Sequence, residues 1–398
     1  MATSRQLREQ IAAGRWTPRW PRSTAQRKGP GPPAQRYGAA LEQFELYYGP
    51  GRQVQVYSAP GRTELGGNHT DHQHGYGLAG AVTLDLVAVA SRNEDGFIRV
   101  KSRGFNKLDV IDLTEAEPQQ GESTHSASLI RGDRGGLPGK GLRCGRLRCL
   151  HGQRCGCGAR DCPAQQPLRM GVAMILNTEY GCGLDAPALA RICQFAENTY
   201  FGKPSGLLDQ LTSAVGGVLF ADFADPTAPK IEKIHADGVL PEGMTLCVTD
   251  TRASHSELTG EFAAIRNEME PWRPVWAARC WARWTRNASG RSCPVCGNNA
   301  ATALCCVPST ILRRMPVLAQ RAALAAGDFA AFARLVEKSG HSSFECCQNV
   351  YCASSPKHQG CRRRWPSARA SLQAPAVHGG CRAAALPERS RLLYRMRW

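Results

Sequence analysis

The periodicity of the chain predicts an α+β enzyme built from two domains. Strand-period and helix-period runs are mixed along the sequence, and at 398 residues the chain exceeds the size of one ordinary core, domains running about 100 to 200 residues. No internal repeat breaks this pattern, which excludes a solenoid.

The elements follow in order. Gln53 to Ser58 alternates apolar and polar side chains, and Gly80 to Ala90 is an apolar run rich in β-branched residues; the first predicts a half-buried strand and the second a fully buried one. Met170 to Asn177 and Asp185 to Tyr200 carry apolar residues spaced by three and four, with Asp185 placed as an N-cap, so both predict helices. Gly216 to Phe223 and Met244 to Asp250 predict further strands, and Arg321 to Lys338 predicts a helix interrupted at Gly327.

Charge and cysteine are unevenly placed. Four segments, residues 15–33, 132–169, 271–316 and 361–398, together hold all eight Trp, twelve of the eighteen Cys, and 29 Lys or Arg against three Asp or Glu. The net charge of +17 therefore comes entirely from these stretches, and the remainder is a mildly acidic protein. A nucleic-acid arm would mix Lys with Arg, whereas 27 of the 29 basic residues are Arg. A zinc module needs two paired ligand sets; Cys293 and Cys296 form one, Cys155 and Cys157 are too close, and Cys305 and Cys306 are adjacent. Disulfides conflict with the lack of an apolar leader in the first twenty residues. That lack, with no run of about 18 apolar residues, predicts a soluble, cytoplasmic protein with neither membrane nor nucleic-acid partners.

A fourth explanation fits the composition better: GC-rich DNA read out of frame overproduces Arg, Cys, Trp, Pro and Ala whatever the fold requires. Codons for Arg160 to Pro167, RDCPAQQP, permit GLSSSAAA in a shifted frame, which is a phosphate-loop sequence. Arg146 to Cys155 permits GFDAYMASDV, Arg15 to Thr24 permits LDAALAALYG, and Arg364 to Ala370 permits LALSESF. Each is a better structural sentence than the one written.

Two stretches concentrate the chemistry. Ala59 to Gly75, APGRTELGGNHTDHQHG, crowds Arg62, Glu64, Asn68, His69, Asp71, His72 and His74 between glycines just after a strand, as suits a loop meeting a polar ligand closely. The same residues also suit a solvated Asx- and Gly-rich turn. A zinc site from His69, His72 and His74 would need a common face that a glycine-rich loop does not fix. Ala196 to Gln210, AENTYFGKPSGLLDQ, sets Glu197 at a helix end and Asp209 after a Gly/Pro turn; one carboxylate can hold a hard cation and the other can face a reacting hydroxyl, or each can be a solvated helix residue.

These stretches resemble the galactokinases of the GHMP kinase superfamily, whose signature is close to APGRxNLIGEHTDYNxG and whose second motif is AExxFxGxPxGxxDQ. The likeness covers roughly residues 34–131, 170–270 and 317–360, and the shifted reading of 132–169 falls between the motifs in the family's order. Glu64 and Asn68 depart from the signature by exchanging acid and amide. The resemblance implies a two-domain GHMP kinase fold, with a ribosomal-protein-S5-like N-terminal domain over 1–215 and a ferredoxin-like C-terminal domain over 216–398. It implies ATP-dependent phosphorylation of galactose at the anomeric hydroxyl. Asp209 would act as base or electrostatic partner of that hydroxyl, Arg62 as transition-state stabiliser and Glu197 as ligand of Mg2+. Glu64, Asn68, His69, Asp71 and Gly206 would bind the sugar. The family's phosphate loop falls at Gly158 to Pro167, where Asp161 adds negative charge and Pro163 and Pro167 remove backbone donors. The family's Val-His-Gly-Gly turn persists only at Val377 to Gly380. In Val248 to Met269, which is similar to the segment completing the sugar pocket, Phe262 stands near a usual Tyr.

Overall fold

A computed structural model describes residues 2–15, 32–136 apart from ten interior positions, 165–234, residue 267 and 316–342, together with the backbone of 147–153, 244–249, 382–387 and 394–396. The long spine is β3 (Tyr76–Arg92), predicted from its apolar core and extending past it at both ends. It pairs antiparallel along most of its length with β2 (Gln53–Gly66), with β7 (Val218–Asp222) at its first residues and with β6 (Leu147–Gln153) at its last. The sheet is completed by β1 (Ala2–Thr3) on β2, β4 (Phe97–Ser102) parallel to β6, β5 (Leu108–Asp112) on β4 and β8 (Lys230–Ile234) on β7.

Both faces of this sheet are buried, which is why β3 reads as a continuous apolar run. Alternate residues Leu86, Ala88 and Ala90 pack with Ile130 of α3 (Ser126–Gly136), with Val172 and Ile175 of α4 (Gln165–Tyr180) and with Ile192 of α5 (Ala186–Phe195). Val87 and Val89, one residue out of phase and so on the other face, pack with Ile11 of α1 (Ser4–Ala12) and with Leu41 and Phe44 of α2 (Pro32–Tyr48). Asp185 caps α5 as its position predicts, its carboxylate accepting from Ala188 N at 2.8 Å. The capping accounts for the helix start, since the first N–H groups have no partner inside the helix. A six-residue π turn, Ala196–Phe201, then closes on Gly202 at φ 80° and leads to α6 (Leu208–Val215).

A second, three-stranded sheet has β9 (Met244–Thr249) between β10 (Arg382–Pro387) and β11 (Tyr394–Met396). The helix predicted over Arg321–Lys338 is two: α7 over 316–325 and α8 (Phe329–Ser342), broken at Gly327, φ 70°. Val317, Ala323 and Leu324 of α7 and Phe332 and Val336 of α8 join Leu65, Leu78, Val218, Phe220 and Ile234 in one apolar cluster.

β7 and β8 extend the first sheet through β3, so that sheet continues past residue 215 to Ile234. Strands β6, β10 and β11 lie within the Arg- and Cys-rich segments 132–169 and 361–398, where side-chain periodicity predicts none; a ladder is made by backbone N–H and C=O groups, which every non-proline residue carries. The CxxC of Cys293 and Cys296, the turn at Val377 to Gly380 and Phe262 lie outside the described residues.

Candidate active site

The loop from β2 to β3 is closed by its own small residues. Gly67 has φ 87°, and a β-carbon there would lie 2.2 Å from the Tyr76 carbonyl oxygen. Buried Thr70 sets its hydroxyl between the carbonyls of Gly67 and Tyr76, at 2.5 and 2.6 Å, and its own carbonyl accepts from Gln73 N and Gly75 N. Between them one turn of 3-10 helix, Asp71–Gln73, carries the acid. His69 and His74 both take left-handed φ, at 59° and 58°, a conformation uncommon outside glycine. His74 Nδ1 lies 3.0 Å from the Ala224 carbonyl, and the rings of His69 and His72 meet edge-on at 5.7 Å. Among the described residues no group of three or more His, Cys, Asp or Glu is gathered closely enough to hold a metal ion.

Arg62 projects from β2 just past a register shift between Pro60 and Gly61, and its guanidinium binds both carboxylate oxygens of Asp209 through Nε and Nη2. Asp209 stands in the first turn of α6, where the helix dipole favours an acid. The pair is half-buried, with side chains 22% and 31% exposed, so it is held in place and still open to a ligand. Two flat, bidentate groups fix each other's orientation.

Asp71 reaches the same helix from the loop. Its Oδ2 accepts from Leu208 N at 3.2 Å and its Oδ1 from His72 N at 2.9 Å. α6 has no side-chain cap from its own N-cap residue, Leu207, so Asp71 supplies the missing acceptor from 137 residues away. Gly206 makes this possible: a β-carbon on it would lie 1.7 Å from Asp71 Oδ2.

Glu197 lies in the π turn with no exposed surface. Its Oε2 accepts from Gln210 Nε2 at 2.8 Å, and Lys203 Nζ stands 3.5 Å from its Oε1. Gln210 follows Asp209 on α6, so the buried acid is tied to the helix that carries Asp209. A carboxylate is the hard oxygen donor that magnesium takes, with water and phosphate completing the shell; in this structure the two Glu197 oxygens face Gln210 and Lys203.

The structure therefore brings together five sequence-predicted residues: Arg62, Asp71, Gly206, Asp209 and, through Gln210, Glu197. Glu64 follows Arg62 by two on β2 and is half-buried, and His69 is half-buried in the loop. Asn68 lies outside the described residues, as does the phosphate-loop position up to residue 164, and α4 begins at Gln165 directly after it. Sequence reasoning missed Thr70, Lys203 and Gln210. All three lie within the quoted motifs, but as closers of a loop and partners of a buried acid they carry no chemical signature of their own.

A family profile described as the galactokinase galactose-binding signature matches residues 42–92. The chain is 33% identical over 238 residues to galactokinase of Streptomyces coelicolor, covering 58% of this chain and 59% of that protein, and 30% identical over 200 residues to galactokinase of Lactococcus lactis, covering 49% of each. It thus spans about half to three-fifths of the length of these relatives. In fold it matches the Lactococcus lactis galactokinase complexed with galactose, at TM-score 0.71 and 19% identity over 87% of this chain and 89% of that one. It also matches the Streptococcus pneumoniae phosphomevalonate kinase in complex with phosphomevalonate and AMPPNP, at TM-score 0.59 and 13% identity over 83% and 92%. The chain resembles the galactokinases in sequence and has the α+β fold of the GHMP kinases.

Proposed function

We propose that the chain is built as a sugar kinase of galactokinase type, transferring the γ-phosphoryl group of ATP to the anomeric hydroxyl of galactose. The observation that carries this reading is the half-buried Arg62–Asp209 pair standing beside Asp71 in a loop that matches a galactose-binding signature. The anomeric oxygen attacks the γ-phosphorus, the bond to the ADP oxygen breaks, and the hydroxyl proton passes to an Asp209 carboxylate oxygen. Arg62 keeps that carboxylate aimed and places a fixed positive charge where phosphoryl charge builds. Asp71 and His69 offer the acceptor and donor groups that vicinal hydroxyls need, with Glu64 and Asn68 as further candidates at the loop entrance. Magnesium, when bound with ATP, supplies charge neutralisation at the phosphates, and Glu197 is the residue that would hold it.

A second reading is a sugar-binding protein without catalysis, favoured by Asp161, Pro163 and Pro167 at the phosphate-loop position, which suit a triphosphate poorly. A kinase of the same superfamily acting on N-acetylgalactosamine or another small alcohol is a third. The test is calorimetric titration with galactose, N-acetylgalactosamine and ATP, paired with coupled ADP release, for the chain and its Asp209→Asn variant, each also with the four segments in the shifted reading. In the restored chain Asp209→Asn should lower turnover by about a hundredfold or more while galactose affinity stays within about threefold. Retained turnover would remove Asp209 from the reaction. Absence of galactose heat in both wild-type chains would overturn the sugar assignment.

A further inference from the structure

Gln320 ties α7 to the backbone at the start of the sugar loop through a polar side chain with no exposed surface. Its Nε2 donates to the Leu65 carbonyl at 3.2 Å across 255 residues of sequence. Its Oε1 has no hydrogen-bond partner, and it occupies the space in front of Gly66: a β-carbon on Gly66 would lie 1.9 Å from Oε1 and 2.8 Å from the amide carbon. Gly66 follows Leu65 and precedes Gly67, the left-handed residue from which the loop turns. The polar amide is set in an apolar frame, with Leu65 and Val317 buried in one cluster. Burying an amide oxygen without a partner costs free energy, so apolar packing alone does not account for a glutamine here.

We infer that Gln320 is a positioning residue for the sugar loop. Its amide fixes the Leu65–Gly66 peptide plane, and with it the direction in which Gly67 to Asp71 leave β2. Through this bond the α7–α8 pair sets the geometry of a loop that the first sheet builds. Catalytic groups Arg62 and Asp209 are bound to each other and do not depend on it, so the effect falls on sugar affinity and not on the chemical step. This inference rests on the reading of the loop as the sugar site.

The experiment compares wild type, Gln320→Ala, Gly66→Ala and the double variant, using hydrogen exchange of peptides spanning residues 62–76 without ligand and calorimetric titration with galactose. Gln320→Ala should speed exchange in those peptides about tenfold, leave peptides of β3 beyond residue 80 and of α4 unchanged, and weaken galactose binding about five- to tenfold, the worth of one buried hydrogen bond. Gly66→Ala should act similarly by expelling the amide. The double variant, in which the added methyl meets a vacated space, should lose less than the two single losses combined. Unchanged loop exchange in both single variants overturns the positioning role whether or not galactose binds. Faster exchange throughout the protein would also overturn it, showing a merely structural residue. If the wild type shows no galactose binding while the loop exchange responds as expected, the sugar reading fails and the positioning stands. In the restored chain Gln320→Ala should raise the KM for galactose and leave kcat unchanged; a fall in kcat alone would likewise sink the idea.

Discussion

Gly206 shows how much of the site depends on a missing side chain. Its value is space and not backbone freedom, because a β-carbon would lie 1.7 Å from Asp71 Oδ2 and 2.2 Å from Asp71 Cγ. Gly206→Ala should push Asp71 off Leu208 N, weakening galactose binding about tenfold by calorimetry, the scale of a hydrogen bond to a charged group; an unchanged affinity would remove Asp71 from the sugar site. Glu197 depends on burial. Replacing it by Gln sets a neutral amide against the Lys203 ammonium 3.5 Å away and exchanges a strong ligand of a hard cation for a weak one. In the restored chain Glu197→Gln should move the magnesium dependence of turnover upward by more than it moves the galactose dependence. An equal shift in both would assign Glu197 to holding Gln210 and Lys203. At this scale the sequence marked Arg62, Asp71 and Asp209, charged groups that the structure brings together around the start of α6. It was silent on Gln320, whose role exists only because Gly66, distant in the chain, leaves room for it.

Elements were legible where one face or one cap decides them. The period of β3, the Asp185 cap and the break at Gly327 follow from local rules. α1 and α2 did not: their packing is written in each other. Thr3 and Gln6 form a capping box at the start of α1, and Ser4 Oγ and Arg8 Nη1 donate to the two carboxylate oxygens of Glu45 on α2 at 2.6 and 2.7 Å. Burial alone would raise the Glu45 pKa, but the bonds from Ser4 and Arg8 and the charges of Arg8 and Arg5 outweigh it, and the net direction is down. A carboxylate with a depressed folded pKa stabilises above its unfolded pKa, and that contribution is lost as pH falls through the folded value. The docking of α1 should therefore weaken on the acid side. Glu45→Gln should cost about 1 kcal/mol near neutrality, discounted because Arg8 is 40% exposed, and should remove this part of the acid sensitivity. Thermal melts of both proteins from neutral pH to below the carboxylate range measure it; parallel curves would rule out the Glu45 clamp as the source.

Across the whole molecule, charge and chemistry divide along the same lines. The residues that build the site lie in the mildly acidic part of the chain, while the four segments carry +26 of formal charge, from 29 basic and three acidic residues. Segment 132–169 supplies β6 between β3 and β4 at the centre of the first sheet, a place where both faces of a strand are normally apolar. Its residues are LRCLHGQ, with Arg148 and His151 among them; the shifted reading of the same seven positions, FDAYMAS within GFDAYMASDV, puts Met in place of His151 and a shorter acid in place of Arg148. The other shifted frame, from the third codon base instead of the second, turns RDCPAQQP, just before and into α4, into GLSSSAAA, whose small residues and complete set of backbone N–H groups suit phosphate at a helix N-terminus. Under the proposed function the chain as written should not phosphorylate galactose and should be aggregation-prone at full length, with order persisting around the sugar loop, since its local preferences contradict the fold that the rest specifies. Restoring 132–169 alone should recover ATP binding, and restoring all four segments should be needed for full turnover, because 361–398 supplies β10 and β11 on either side of β9. Coupled ADP release with galactose on the written, singly restored and fully restored chains decides the matter. Substantial galactose-dependent turnover by the written chain would show that the Arg- and Cys-rich segments are working parts and that the shifted reading is a coincidence of codons.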